Sequence, residues 1–178
     1  GMAIREILLH PDQRLKKICK PIQEITDFER TLIKDMFETM YNATGIGLAA
    51  PQVGVLKRIF VMDCSDKDNS SEPIVLINPE ILWASDETIL YEEGCLSIPE
   101  FFGEIKRASR VKVQSLDISG VLKEHEFEGI SSICVQHEID HLDGRLFIDY
   151  LGPIKRNIIT TKMKKIKKLN SRKVIKSD

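Results

Sequence analysis

The strongest constraint in this chain is the run Gln136-His137-Glu138-Ile139-Asp140-His141-Leu142-Asp143-Gly144. It contains H-E-x-x-H. On a helix, residues four apart share a face, so His137 and His141 would offer two imidazoles to one divalent cation. Glu138 then stands where a carboxylate can exchange a proton with water held at that cation. Ile130, Ile133 and Cys134 precede the histidines at helical spacing, and Gly144 falls where a left-handed C-terminal cap belongs. The plain alternative is a surface helix that carries two histidines by coincidence.

Two imidazoles do not make a metal site, so the third ligand decides the chemistry. A thermolysin-like site needs a later glutamate, and none follows Glu138. A metzincin site needs a histidine where Phe147 stands. Asp143 or Asp149 would complete an aspartate-liganded protease. The other candidate is Cys95, in Glu93-Gly94-Cys95-Leu96-Ser97. One cysteine with two histidines is a catalytic ligand set that leaves a fourth position for water.

The 178 residues fit a single domain spanning 1–178, long enough to bury roughly 70% of the unfolded surface. No apolar run approaches the ~20 residues of a bilayer span. Gly1 before Met2 reads as a scar of tag removal, and no secretory signal is expected. Cys19, Cys64, Cys95 and Cys134 are scattered without a C-x-x-C pair, which points to a reducing cytoplasm. The net charge of -1 hides a division: residues 155–178 hold ten Lys/Arg against one acid. That end favours a polyanionic partner.

The pattern predicts a short helix from Asp12 to about Cys19, and an amphipathic helix capped by Asp27 that runs to about Asn42. Residues 58–63 and 74–78 read as buried strands joined by the polar loop 65–72. Residues 81–84 and 88–91 read as a hairpin around Ser85-Asp86-Glu87, with Trp83 as a packing residue. Pro99 and Phe101-Phe102-Gly103 read as loop. Residues 110–116 pair with 121–127, and a basic helix from about Pro153 carries an apolar stripe of Ile159, Met163 and Ile166. His10 reads as structural and His125 as an exposed strand residue. The glycine-rich stretch Gly45-Ile46-Gly47-Leu48-Ala49-Ala50-Pro51-Gln52-Val53-Gly54 implies close backbone approach or positive φ, in a structural or a substrate loop. Gln52 supplies its one side-chain amide. Ile133 and Cys134, one turn before His137, should form an apolar wall beside the cation.

Three segments together resemble one family. Gly45 to Gln52 is similar to the G-x-G-L-A-A-x-Q motif of peptide deformylases, Glu93 to Ser97 to their E-G-C-L-S, and Gln136 to Gly144 to their Q-H-E-x-D-H-L-x-G. The resemblance implies an α+β fold: antiparallel strands surround a central metal-binding helix that carries H-E-x-x-H, with a C-terminal helix at 153–178. It implies removal of the formyl group from N-formylmethionyl nascent peptides. It implies Cys95, His137 and His141 as ligands to one divalent ion, Fe2+ in cells, with Zn2+, Ni2+ or Co2+ possible in preparations. Ligand chemistry alone points to zinc. In the family's scheme Glu138 moves the proton while the Gln52 amide and the Leu96 N–H stabilise charge on the formyl oxygen. Ile130, Ile133, Cys134 and Ile46 resemble the methionine pocket, and backbone groups of Ile46, Gly47 and Gly94 would bind the peptide as an added strand. An internal Glu93–Arg107 ion pair is implied, and Gln136 is a candidate to orient a ligand. For the basic end the resemblance implies docking on the ribosome near the peptide exit. No long heptad pattern or obvious dimer helix appears, so a monomer is expected, and the short apolar runs predict no membrane partner. Lys106 and the pair Phe101-Phe102 depart from many relatives and leave the downstream peptide preference open.

Overall fold

The computed structural model describes residues 3–65 and 72–177, with side chains described as far as Arg172. Gly1, Met2 and most of the expected 65–72 loop lie outside the described residues. The elements run α1 (Asp27–Asn42), β1 (Gly47–Ala49), β2 (Ile59–Met62), β3 (Ile74–Ala84), β4 (Thr88–Cys95) and β5 (Ile98–Ala108). They continue with β6 (Arg110–Leu116), β7 (Leu122–Glu128), α2 (Ile130–Leu142) and α3 (Pro153–Ser177), with short 3-10 turns at Gln13–Lys16, Ala50–Val53 and Phe147–Tyr150. No helix among the described residues is long and apolar enough to cross a membrane.

All strand pairs in the two sheets are antiparallel: a five-stranded sheet in the order β1-β2-β3-β6-β7, and a separate β4–β5 ribbon. Strand β2 shows why the architecture is layered. All four of its residues are buried, which an alternating half-exposed strand cannot achieve. Phe60 and Met62 pack with Leu76, Val111 and Val113 against Cys134, Val135, Ile139 and Leu142 of α2. Ile59 and Val61 point the other way, with Ile77, onto Leu32, Ile33, Met36 and Met40 of α1. The sheet therefore lies between two helices. Beyond α2, the ribbon residues Ile98 and Ile105 join Leu146, Phe147 and Ile148, and Ile159 and Met163 of α3. The expected α3 stripe is real.

The C-terminal end of α2 is fixed by a glycine. Gly144 has φ 75°, its N–H reaches the His141 carbonyl at 3.1 Å, and the Arg145 N–H reaches Asp140 at 2.8 Å. These two bonds form a Schellman cap. A Cβ on Gly144 would sit 2.6 Å from the Lys16 carbonyl oxygen, so the same glycine also lets the helix end dock on the N-terminal turn.

Several expectations need correction. Thr26, not Asp27, is the N-cap of α1, closing a capping box with Glu29, whose Oε1 accepts the Thr26 N–H at 2.7 Å. Asp12 caps only the short turn Gln13–Lys16. The hairpin around Ser85-Asp86-Glu87 does not form. Residues 81–84 continue β3 past a bulge at Asn78 (φ 50°) and pair with β6, while β4 pairs with β5. The Asn78 amide is held on both sides by Ile22 backbone, at 2.8 and 2.7 Å, which keeps the bulged strand in line. The segment read as loop around Pro99 and Phe101-Phe102-Gly103 is strand β5. Trp83 is 42% exposed, with Arg110 and Lys112 over its ring, not packed in the core. The β6–β7 hairpin forms as expected.

His10 is structural, as expected: it is buried, its Nε2 contacts Thr160 Oγ1 of α3 at 2.8 Å, and its backbone N–H bonds the Ser97 carbonyl at 2.9 Å. Burial, reinforced by nearby Lys16, lowers its pKa to about 4. The folded state thus prefers the neutral ring. Its contribution is complete above the ordinary value of 6.5, is lost as pH falls from there towards 4, and is flat below. Between pH 7 and pH 5 the wild-type protein is expected to lose on the order of 1–2 kcal/mol more stability than His10→Gln, measured by urea unfolding at each pH.

Candidate metal centre

The fold brings one ligand from the ribbon to two from the helix. Cys95 ends β4, just before the Leu96-Ser97 turn, and His137 and His141 lie one turn apart on α2. Cys95 Sγ is 3.4 Å from His141 Nε2, and the two histidine Nε2 atoms are 3.2 Å apart. The three ligand atoms all lie within 4.8 Å of one another. Tetrahedral metal–nitrogen and metal–sulfur bonds place ligand atoms about 3.3–3.6 Å apart, so the set fits a single divalent ion. Among the described residues neither alternative third ligand joins this cluster. Asp143 pairs with Arg58 at 3.0 Å, and Asp149 accepts the Leu146 N–H at 2.9 Å.

The ligands are held from behind. His137 Nδ1 contacts Glu93 Oε1 at 2.9 Å, which leaves Nε2 directed at the site. Glu93 is in turn held by Arg107 Nε at 2.7 Å and Nη2 at 2.9 Å, so the ion pair implied by the resemblance is present and bidentate. Arg107 Nη1 also reaches Asp140 at 2.7 Å, and the Tyr150 hydroxyl donates to the same Asp140 oxygen at 2.8 Å. Sequence reading missed the Asp140 and Tyr150 links. Gln136 does not touch a ligand: it bonds the Ala108 carbonyl at 2.9 Å and Ser132, tying α2 to the end of β5.

A cavity of about 460 Å³ opens on Cys95 and His137, lined among others by Ile46, Gly47, Gly94, Leu96, Ile130, Ile133, Cys134 and Glu138. Every substrate-site residue picked from the sequence is therefore on this one surface. Ile133 and Cys134 are buried in its wall, whereas Ile130 and Ile46 stand half-exposed at its edge. The Ile46 carbonyl already accepts the Asp63 N–H at 2.8 Å. Gln52 is buried, its Oε1 accepts the Ala49 N–H at 2.9 Å, and its Nε2 therefore turns towards Ser97 Oγ (3.1 Å) and Cys95 Sγ (3.5 Å). The turn that carries Leu96 is pinned by close packing, because a Cβ on Gly45 would lie 2.7 Å from Leu96 Cδ1.

Two buried carboxylates stand in different electrostatic settings. Burial pushes Glu93 up, but the bonds from Arg107 and His137 outweigh it and hold its pKa below the ordinary carboxylate value. Glu138 has no such partner, and burial raises it to about 7 against the opposing pull of His137. Its Oε1 finds no hydrogen-bond partner among the described residues. Burial would lower His137, yet Cys95 and Glu93 beside it prevail and raise it, so metal uptake must displace a proton there. His141 is lowered by burial and by His137.

Residues 4–157 match the family profile described as Polypeptide deformylase. Peptide deformylase from Afipia carboxidovorans is 51% identical over 168 residues, covering 94% of this chain and 98% of the relative. That from Phenylobacterium zucineum is 51% identical over 164 residues, covering 92% and 97%. Among solved structures, peptide deformylase from Ehrlichia chaffeensis superposes with a TM-score of 0.90 at 38% identity, covering 94% of this chain and 99% of that one. One from Legionella pneumophila gives 0.87 at 47% identity, covering 96% and 99%.

Gly47 fixes where the Glu138 carboxylate can lie, since an added Cβ would sit 2.5 Å from Glu138 Oε2 and 2.8 Å from Cys134 Sγ. Gly47→Ala is expected to displace the carboxylate and lower kcat about 100-fold, as misplacement of a reacting group does. Elemental analysis should show unchanged metal content.

Proposed function

Because the chain belongs to the polypeptide deformylase family and removes the N-terminal formyl group from polypeptides, we propose how its residues divide that work. Cys95, His137 and His141 would hold a divalent ion, which when bound would supply Lewis acidity beside the formyl group. Glu138 takes the proton of the attacking water and returns it to the departing amine nitrogen, which yields formate and a free N-terminus. Gln52 Nε2 and the Leu96 backbone N–H donate to the formyl oxygen as it gains charge. Ile130, Ile133, Cys134 and Ile46 enclose the methionine side chain. Backbone groups of Ile46, Gly47 and Gly94 hold the peptide extended. The observation that carries this reading is the placement of Glu138 and Gln52 in one cavity with Cys95 and His137.

The ion in cells is read as Fe2+, by family analogy. The chain is read as one catalytic domain acting as a cytoplasmic monomer, with α3 as its basic appendage. A formate-release assay on formyl-Met-Ala-Ser tests the assignment. Wild type should be active, Glu138→Ala silent with its metal retained, and Gln52→Ala slower by ~100- to 1000-fold. Cys95→Ala should lose the metal. A Cys95→Ala protein that keeps it would overturn the place of Cys95 in the ligand set.

The basic face of α3 is read as a ribosome-docking surface. Deleting the helix would remove the buried Ile159 and Met163 and uncover the core they pack on, so charge reversal is the cleaner test. The triple variant Lys164→Glu, Lys165→Glu, Lys168→Glu, at three exposed positions, is expected to abolish co-sedimentation with ribosomes at low salt. Equal recovery of variant and wild type would remove the ribosomal role.

A further inference from the structure

The 3-10 turn Phe147–Tyr150 touches the metal centre twice, by two routes that meet at one ligand. Its first residue, Phe147, is 1% exposed and stacks on the His137 ring, with centroids 6.4 Å apart and planes at 24°. Its last residue, Tyr150, donates to Asp140 Oδ2, and that oxygen also accepts Arg107 Nη1. Arg107 grips Glu93, and Glu93 holds His137 Nδ1. The contacts close a circuit: His137, Glu93, Arg107, Asp140, Tyr150, and back through the turn to Phe147 and His137. The Tyr150 ring also lies under the guanidinium, 5.0 Å from Arg107 Cζ, so the hydroxyl and the ring hold one cation through different groups. Asp149 caps the turn through the Leu146 N–H, which sets the direction from which Tyr150 reaches α2.

We propose that Tyr150 is a positioning residue for the metal, the member that closes this circuit and holds the His137 imidazole in its ligating orientation. The physical reason lies in Asp140. A carboxylate oxygen shared by two donors is fixed in place, and a fixed Asp140 fixes the end of Arg107 that does not face Glu93. With the hydroxyl gone, Asp140 Oδ2 keeps Arg107 Nη1 but loses its second donor, so the line from Asp140 through Arg107 and Glu93 to His137 stays joined but is less tightly fixed. Loss of such outer contacts typically costs about 10- to 100-fold in metal affinity. The inference rests on Cys95, His137 and His141 being the ligands.

The test is release of Co2+ from the loaded protein into excess EDTA, followed by loss of the cobalt–thiolate absorption, in wild type, Tyr150→Phe, Asp140→Ala and the double variant. Tyr150→Phe keeps the ring over Arg107 and removes only the hydroxyl. It is expected to release Co2+ about tenfold faster, with its melting temperature little changed. If both residues act along one route, the double variant should release no faster than Asp140→Ala alone. Release from Tyr150→Phe at the wild-type rate, or multiplication of the two effects in the double variant, would overturn the proposal. Should Asp140→Ala not fold, the single Tyr150→Phe rate still decides the matter. A Cys95→Ala protein that binds Co2+ with its histidines intact would overturn the ligand set beneath it instead, and the two failures are thereby told apart.

Discussion

The metal centre depends on one buried guanidinium. Its ligands arrive on two separate pieces of structure, a ribbon that delivers a sulfur and a helix that delivers two imidazoles, and nothing in the backbone pairing of either piece sets the distance between them. Arg107 sets it. Its side chain is 5% exposed and joins Glu93 on the ribbon to Asp140 on the helix. Taking such a charge out of water is costly, and here two carboxylates, Glu93 and Asp140, compensate it. The pair is therefore better understood as a spacer than as a source of stability.

The same cation separates the roles of two buried carboxylates. Glu93, gripped by Arg107, stays ionised and acts as an acceptor that fixes a histidine tautomer. Glu138 projects past Gly47 into the cavity, where burial brings its pKa to about 7. One environment makes a fixed anchor and the other a group able to take and give a proton near neutrality. Between them they show how a small cavity can hold two acids of the same kind with different duties.

The site was far more legible in the sequence than the sheet that surrounds it. Short-range periodicity defines a helix, so His137, Glu138, His141 and the Gly144 cap could be placed from spacing alone. Cys95 emerged by comparing ligand chemistry, and the motifs shared with deformylases supplied Gln52 and Leu96. Strand pairing is long-range, and there the reading failed. Asn78-Pro79 looked like the end of a strand, although a bulge braced by Ile22 carries β3 on to Ala84. Pro99 and Gly103 looked like loop residues, although a ribbon with a free edge accommodates both. The Asp140–Tyr150 link was invisible for a different reason: a hydroxyl that meets a carboxylate ten residues away leaves no periodic trace. Phe147 was noticed only as the histidine that a metzincin would need, and its real work is to lie against an imidazole.

The docking of Gly144 against Lys16 has a consequence for biosynthesis. The opening of the chain divides its bonds between early and late partners: Arg5 meets Asp35 and Thr39, and the Leu8 N–H meets the Gln52 carbonyl, whereas the Cys19 N–H meets the Leu142 carbonyl and the Lys16 carbonyl lies on a surface that only a glycine leaves flat. During translation the Cys19 and Lys16 contacts wait until about 125 further residues have been added, so the opening segment is seated in two stages. An enzyme that trims the starts of other new chains thus needs its own far end before its own start is fully in place.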